Sequence, residues 1–491
     1  MRRTLATEDS LVIESDTAVL DWIRVGLVAL GAVGTVVALP GLLAHELFRQ
    51  PTLTKYIVSV LAPLSILLVG ALRHPLRLVI GAIIVCAPIG TEAATFSGVS
   101  TPLQAVLVGL GVAVAVFMTP LKGRLSPTAK IAVVVVVLLI EPTLAGTDGL
   151  FNVVWIAAIL TTGWLVSLVA SEPGGGLFVC GALVASALIQ AIIAIYEYKT
   201  GHLINLYGSA GAQSFGQDYF FTFGTANRPV GLFNDPNSFG NVLALALPLC
   251  VYVACSVKRL LLKVMVAMSA VAIAVGLTLS LSRMSWVGGA VGVVVTLVLL
   301  PGGQRQRATF ATLVLAAAAI AAGSASLGLN LSQRAETILH PTSGANSNSV
   351  ANPGEDVGRT RIWGAALSIF AENPIVGVGL NRIDPLLARK TGGITQYSQA
   401  QSVYFQVLAE AGICGGLALV LTILAVTSAI VRGIRVDRRL AAGLAGSFIA
   451  ILLGWTTDYT VHQISVGSFV AVIFGLAAFL AGATVKPPAQ S

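Results

Sequence analysis

Residues 264–300 read VMVAMSAVAIAVGLTLSLSRMSWVGGAVGVVVTLVLL, and the single charge among them is Arg283. A helix needs roughly 20 mostly apolar residues to cross the hydrocarbon core of a bilayer. The stretch is therefore long enough for two crossings, near 262–281 and 285–300, with a polar turn between them. An arginine at that depth is costly unless it has a partner or faces a polar cavity, which makes LSLSRMSW the first candidate for function.

The same arithmetic applied outward sets the fold class. The chain has 491 residues, of which 56% are hydrophobic and 10% charged, and its mean hydropathy is +0.89. It reads as an all-α polytopic membrane protein with about 12–14 transmembrane helices. Further spans are predicted near 25–44, 56–72, 76–90, 102–120, 128–145, 151–170, 176–196, 238–256, 308–326, 402–431, 441–459 and 465–485. They divide the chain into an N-terminal segment 1–24, an N-terminal bundle 25–196 and a central region 197–325 that opens with an outer loop 197–237. A large extracytoplasmic loop 326–401 with short helices, C-terminal helices 402–485 and a tail 486–491 complete the order. Residues 1–24 are too charged for a signal peptide, which places the N-terminus in the cytosol. Cys86, Cys180, Cys250, Cys255 and Cys414 lie in or beside apolar spans at spacings that suggest neither a metal site nor a disulfide framework, so no metal and no cofactor is expected.

Lysine and arginine collect on the cytosolic side of membrane proteins. With the N-terminus inside, most of the 29 basic residues fall in inner segments, among them Lys258, Arg259, Lys263, Arg432, Arg435, Arg438 and Arg439, and both termini are cytosolic. The net charge of +8 is thus a topology signal and not a nucleic-acid footprint. The outer side holds Lys199 and Arg228, then Arg283, then Arg334, Arg359, Arg361, Arg382, Arg389 and Lys390. Arginine suits a diphosphate, because its planar fork gives paired charge-assisted hydrogen bonds and keeps its proton. An outer anionic, phosphate-bearing ligand is expected.

Three other stretches have recognisable form. RPVGLFNDPNSFGN at 228–241 joins a polar segment to an apolar one, and Asp235 or Asn237 can cap the following span. Residues 341–357 read as linker, and GRTRIWGAALSIFAENP after them has apolar residues at helical spacing, Ile362, Trp363, Ala366, Leu367 and Phe370, until Asn373 and Pro374 stop it. That helix can lie along the membrane surface or cap its own bundle. GVGLN at 377–381 lacks the strand, third glycine and helix that a nucleotide loop requires.

RPVGLFNDPNSFGN, LSLSRMSW, GRTRIWGAALSIFAENPIVGVGLNRI and QSVYFQVLAEAGICGG occur here in one order. In that order they resemble the O-antigen ligase and polymerase family of bacterial membrane glycosyltransferases, over roughly residues 228–425. The resemblance implies transfer of a glycan from a polyprenyl-diphosphate carrier to a hydroxyl, outside the plasma membrane, without metal or nucleotide sugar. It makes Arg228, Arg283 and Arg359 the diphosphate-handling residues. Asn234, Asn237, Arg361, Trp363, Arg382, Gln406, Glu410 and His340 are substrate-binding candidates. One position departs from the pattern. Ligases of the family commonly carry a His-Asn pair before the span that starts here at Ser402, and this chain reads Gln401-Ser402. An amide cannot accept a proton at ordinary pH, so Gln401 is expected to orient the acceptor, and the outer histidines His202, His340 and His462 are the candidate substitutes for the missing base.

These readings favour a polymerase of lipid-linked repeat units. Ligase-type transfer to a lipid or protein, a transporter of lipid-linked glycans and an inactive partner subunit are the alternatives. The expected partners are a polyprenyl-diphosphate-linked glycan, membrane lipid, and a chain-length regulator or other polysaccharide-assembly protein.

Overall fold

The computed structural model describes residues 75–88, 92–96, 99–118, 149–201, 221–223, 226–233, 235–303, 355–391, 399–459 and 463–483. The spans predicted at 25–44, 56–72, 128–145 and 308–326 lie outside them, as do Asn234, His202, His340 and His462. The chain divides into two compact units, one of residues 1–83 and 91–122, the other of 84–90 and 123–491.

Helix α1 (Pro75–Cys86) straddles the division, and the first unit also holds an antiparallel ladder of β1 (Glu92–Phe96) and β2 (Val99–Pro102) followed by α2 (Leu103–Met118). The second unit contains α3 (Gly149–Ser171), α4 (Gly175–Thr200), a short hairpin of β3 (Phe221–Phe223) and β4 (Ala226–Arg228), α5 (Pro236–Ser256), α6 (Leu260–Leu279) and α7 (Arg283–Leu299). It continues with α8 (Glu355–Glu372), α9 (Ile383–Lys390), α10 (Val403–Gly433), α11 (Arg438–Gly454) and α12 (Ile464–Gly482). The protein is an all-α polytopic membrane protein, and among the described residues two short ladders stand beside its helices. Among the described residues, 5 helices are long and apolar enough to cross a membrane: 175–200, 236–256, 260–279, 403–433 and 465–482.

In lipid, apolar side chains gain little by meeting one another, so helices associate through close packing and inter-helix hydrogen bonds. Helices α7 and α11 meet backbone to backbone, where a Cβ on Gly292 would lie 2.5 Å from the Gly446 carbonyl oxygen. Thr296 Oγ1 reaches the Ala442 carbonyl at 3.2 Å, and Ser447 Oγ donates to the Leu245 carbonyl on α5 at 2.7 Å.

Side-chain bonds tie the connections into two ends. At one end, Arg438 Nε donates to the Leu299 carbonyl at 2.7 Å and Arg439 Nη1 to the Cys255 carbonyl at 3.4 Å, so the turns after α5, α7 and α10 meet there. At the other, the starts of α5, α7, α10 and α12 come together; this is the site end.

Three predicted elements change on folding. The span expected at 402–431 is helix α10, broken at Gly412 (φ 60, ψ −151), a conformation open to glycine alone. The span expected at 441–459 ends as helix at Gly454, and residues 455–459 lie beyond it at the site end. Helix α8 begins at Glu355, inside the stretch read as linker, and ends at Glu372 as predicted. Its buried stripe is Ile362, Ala365, Ala366 and Ile369, packed with Ile383 and Leu387 of α9, Ala400 before α10 and Ala409 within it. Leu367, read as part of the apolar face, is 43% exposed. The helix caps its own bundle.

The break in α10 is answered by GVGLN. The N–H groups of Val378 and Gly379 donate to the Ala409 and Glu410 carbonyls at 3.1 and 2.9 Å, while those of Ile413 and Cys414 donate to the Pro374 and Ile375 carbonyls at 2.8 and 3.1 Å. Backbone groups freed inside lipid need such partners. The segment therefore docks the α8–α9 layer onto the broken helix.

Candidate functional site

The loop that leads into α5 is fastened from three sides. Asp235 caps the helix, its Oδ1 accepting from the N–H groups of Asn237 and Ser238 at 2.8 and 2.9 Å, and Pro236 occupies the first turn, where its missing N–H is harmless. Glu197, fully buried near the end of α4, accepts from the N–H groups of Val230 and Gly231 at 3.1 and 2.9 Å. Gln190, two turns earlier on the same helix face, accepts from Leu232 N–H at 2.9 Å.

So held, Arg228 is 8% exposed. Its Nε donates to the Ser280 carbonyl and its Nη2 to Asn237 Oδ1, both at 2.9 Å. Asn237 thus positions an arginine, while Asp235 does the capping. Ser280 ends α6; Leu281 turns the chain at φ 51, and Arg283, half-buried, opens α7. Beneath it Ser285 Oγ bonds both Ser282 Oγ and Asn241 Oδ1 at 2.8 Å, a polar layer that α11 approaches closely at Gly454.

The third arginine comes from α8. Arg359 Nε donates to Gln401 Oε1 at 3.1 Å, and Gln401 itself stands at φ 50, a left-handed conformation rare for a residue with a side chain. Its neighbours are anchored, with Ser402 Oγ and Val403 N–H both donating to the Trp455 carbonyl, at 3.2 and 3.0 Å. Gln463 Nε2 then donates to Asp235 Oδ2 at 2.8 Å, which ties the start of α12 to that of α5.

Asp458, in the same connection, faces this cluster. Burial pushes its carboxyl well above the usual range, Asp235 adds to the rise, and Arg359 and Arg228 pull it back. Its charge environment thus links the two arginines that no hydrogen bond joins directly.

Deeper on α10, Gln406 and Glu410 are fully buried. Gln406 Oε1 accepts from Ala400 N–H at 2.6 Å and its Nε2 donates to Glu410 Oε1 at 2.8 Å. Glu410 also accepts from Asn381 N–H at 2.9 Å and Tyr459 OH at 3.4 Å. These two residues hold loops 378–381 and 399–402 on the helix break. Trp363 stacks on Phe405 with centroids 5.2 Å apart, and its Nε1–H meets no acceptor among the described residues. Arg361 and Arg382 are exposed and stand outside the cluster, and Lys390 is bonded to Glu372 and Ser368 across α8 and α9.

Glu197, Gln190, Asp458 and Gln463 were missing from the sequence reading. Asp458 carried a usable signal, since it sits inside a stretch read as a span, and an ionisable residue there is a functional candidate by the argument applied to Arg283.

Three arginines and four helix starts meet at this end, and helix N-termini add partial positive charge. The arrangement can hold an anion such as a phosphate while placing carboxylate and amide oxygens next to it. It belongs to a polytopic helical membrane protein with an arginine-lined site at one end of its bundle. Residues 268–420 match the family model described as O-antigen ligase. The match covers Arg283, Arg359, Gln401, Gln406 and Glu410, while Arg228 and Asp458 lie on either side of it. It supports a function in membrane glycan transfer. No curated protein matches the chain.

Proposed function

We propose that the protein polymerises polyprenyl-diphosphate-linked repeat units into a surface or exported polysaccharide, outside the bacterial plasma membrane, with both termini in the cytosol. The observation that carries this reading is the fixing of Arg228 and Arg359 at one end of the bundle, beside Arg283 and the starts of α5, α7 and α10. Displacing a sugar from a diphosphate builds negative charge on the leaving phosphate, and prepositioned arginines lower that barrier at no cost of reorganisation. The diphosphate leaves without being protonated, so a general acid is dispensable.

Gln401 favours polymerase over ligase. It stands where the family's ligases place a histidine, and its oxygen is committed to Arg359. Its role is to aim the guanidinium. The lipid-linked glycan and surrounding lipid are the direct partners, and a chain-length regulator is a further one.

The test compares surface polysaccharide and lipid-linked oligosaccharides from cells lacking the gene, complemented with wild type or Arg283→Ala. Single repeat units accumulating in the null and Arg283→Ala cells support the polymerase. Long chains left on the lipid carrier indicate a ligase, and unchanged glycans overturn the enzyme reading.

A further inference from the structure

We propose that Asp458 and Gln463, on the connection between α11 and α12, form the subsite for the attacking hydroxyl, and that Asp458 takes its proton. The inference rests on the glycan-transfer reading above.

The geometry that points to it is a pair of unanswered oxygens. Asp458 Oδ1 accepts from the N–H of Tyr459 at 2.9 Å, but Oδ2, although enclosed, accepts no hydrogen bond among the described residues. Gln463 Oε1 is in the same condition, and its amide cannot simply be turned over, because Nε2 is committed to Asp235 Oδ2 at 2.8 Å. A buried acceptor without a donor is expensive, and this short connection holds two beside the arginines. A diphosphate brings acceptors only, which guanidinium groups satisfy. The two oxygens call for a ligand that donates, and a sugar hydroxyl is the donor a glycan acceptor supplies.

The surroundings suit a base. Arg359 of α8 and Arg228 of β4 face Asp458 with positive charge, Asp235 faces it with negative charge from the start of α5, and the Tyr459 hydroxyl is directed to Glu410. Gln401 cannot serve, being an amide bonded to Arg359. In the step itself the acceptor oxygen bonds to the anomeric carbon while the carbon–oxygen bond to the diphosphate breaks. Its electron pair leaves on the phosphate oxygen beside the arginines, and the hydroxyl proton passes to Asp458 Oδ2. Acceptor binding must turn the carboxylate toward the hydroxyl, since Oδ2 is enclosed.

The experiment uses membranes from cells carrying the full-length protein, with their own lipid-linked saccharides labelled from a radioactive nucleotide sugar, and follows transfer across pH. Asp458→Asn is expected to slow transfer about 10²- to 10⁴-fold, the usual worth of a general base, and to remove the acid-side fall expected of the wild type. Its thermal midpoint at neutral pH should equal or exceed the wild type's, which a purely structural aspartate would not allow. Transfer within threefold of wild type, or loss of transfer together with a lowered midpoint, overturns the assignment while leaving the glycan-transfer reading in place. If Asp458→Asn does not accumulate, Asp458→Glu replaces it: a displaced acid limb supports the base, and an unmoved one overturns it. Wild-type membranes no more active than those of the null would sink the transfer reading, and this inference with it.

Discussion

At one end of the second unit Lys258, Arg259, Lys263, Arg432, Arg435 and Arg438 are exposed, and Arg432 and Arg438 bond backbone carbonyls of Ser428 and Leu299. At the other, Arg228 is buried and Arg283 and Arg359 half-buried, and two of the three are aimed by side-chain partners from other segments. The same residue does two jobs. Exposed cations decorate short turns and mark topology, whereas held cations form a site whose charge is already oriented. Where an arginine falls in the sequence tells the first role, and only its partners tell the second.

The sharpest way to break this comparison is to remove charge from each end in turn. Arg228→Ala, Arg283→Ala or Arg359→Ala should each lower transfer by about 10²- to 10³-fold, or roughly 2.7–4 kcal/mol, as for other fixed donors aimed at developing charge. Arg438→Ala should leave it within about twofold, because an exposed contact of that kind contributes little. Equal losses at both ends, measured in labelled membranes, would erase the distinction.

Next in size is the docking of α8 and α9. A Cβ at Gly412 would collide with the Ile375 backbone and face φ 60, so Gly412→Ala should cost at least about 1–3 kcal/mol in strain. Hydrogen exchange at 374–381 should rise with it. If those amides stay protected, the interlock does not depend on the break.

Glu197→Ala leaves the Val230 and Gly231 N–H groups without their acceptor and should cost about 1–3 kcal/mol, read from thermal unfolding in detergent. Because the loop carries Arg228, transfer should fall as well. A change in stability with unaltered kinetics would separate the loop from the site. Asp437, which caps α11 at the basic end through the N–H groups of Arg439 and Leu440, provides the control. Its replacement by alanine should cost about 1 kcal/mol and leave transfer unchanged.

A pH series sharpens the comparison further. The Asp458 carboxyl is raised when folded, so the native state binds its proton more tightly than the unfolded chain. Stability is then full in acid and declines as pH climbs from the ordinary carboxylate range, where the unfolded carboxyl ionises, until Asp458 ionises too. Asp458→Asn should flatten that decline in a set of melting curves.

Much of the fold was legible because lipid demands long apolar helices. Spans near 176–196, 238–256, 262–281, 285–300 and 465–485 correspond to α4 to α7 and α12 within a few residues. The cap before α5 was legible too, since aspartate followed by proline starts a helix by local chemistry alone. Hidden were the break at Gly412, whose four released backbone groups find partners more than 25 residues upstream, and Glu197, whose ligands are loop amides on another element. Asp458 was concealed by its apolar neighbours, which made 441–459 read as one crossing.

By itself, then, the sequence determined the membrane environment, most helix positions and the presence of arginines in three of four ordered motifs. Hydropathy and capping act over a few adjacent residues, and motifs are strings. The tertiary structure alone decided that Arg228 would rest on Ser280 and Asn237, that Arg359 would be aimed by Gln401, and that Asp458 would feel the charge of both with one oxygen unanswered. Those outcomes depend on contacts between residues far apart in the chain, and nothing local to any of them specifies the partner.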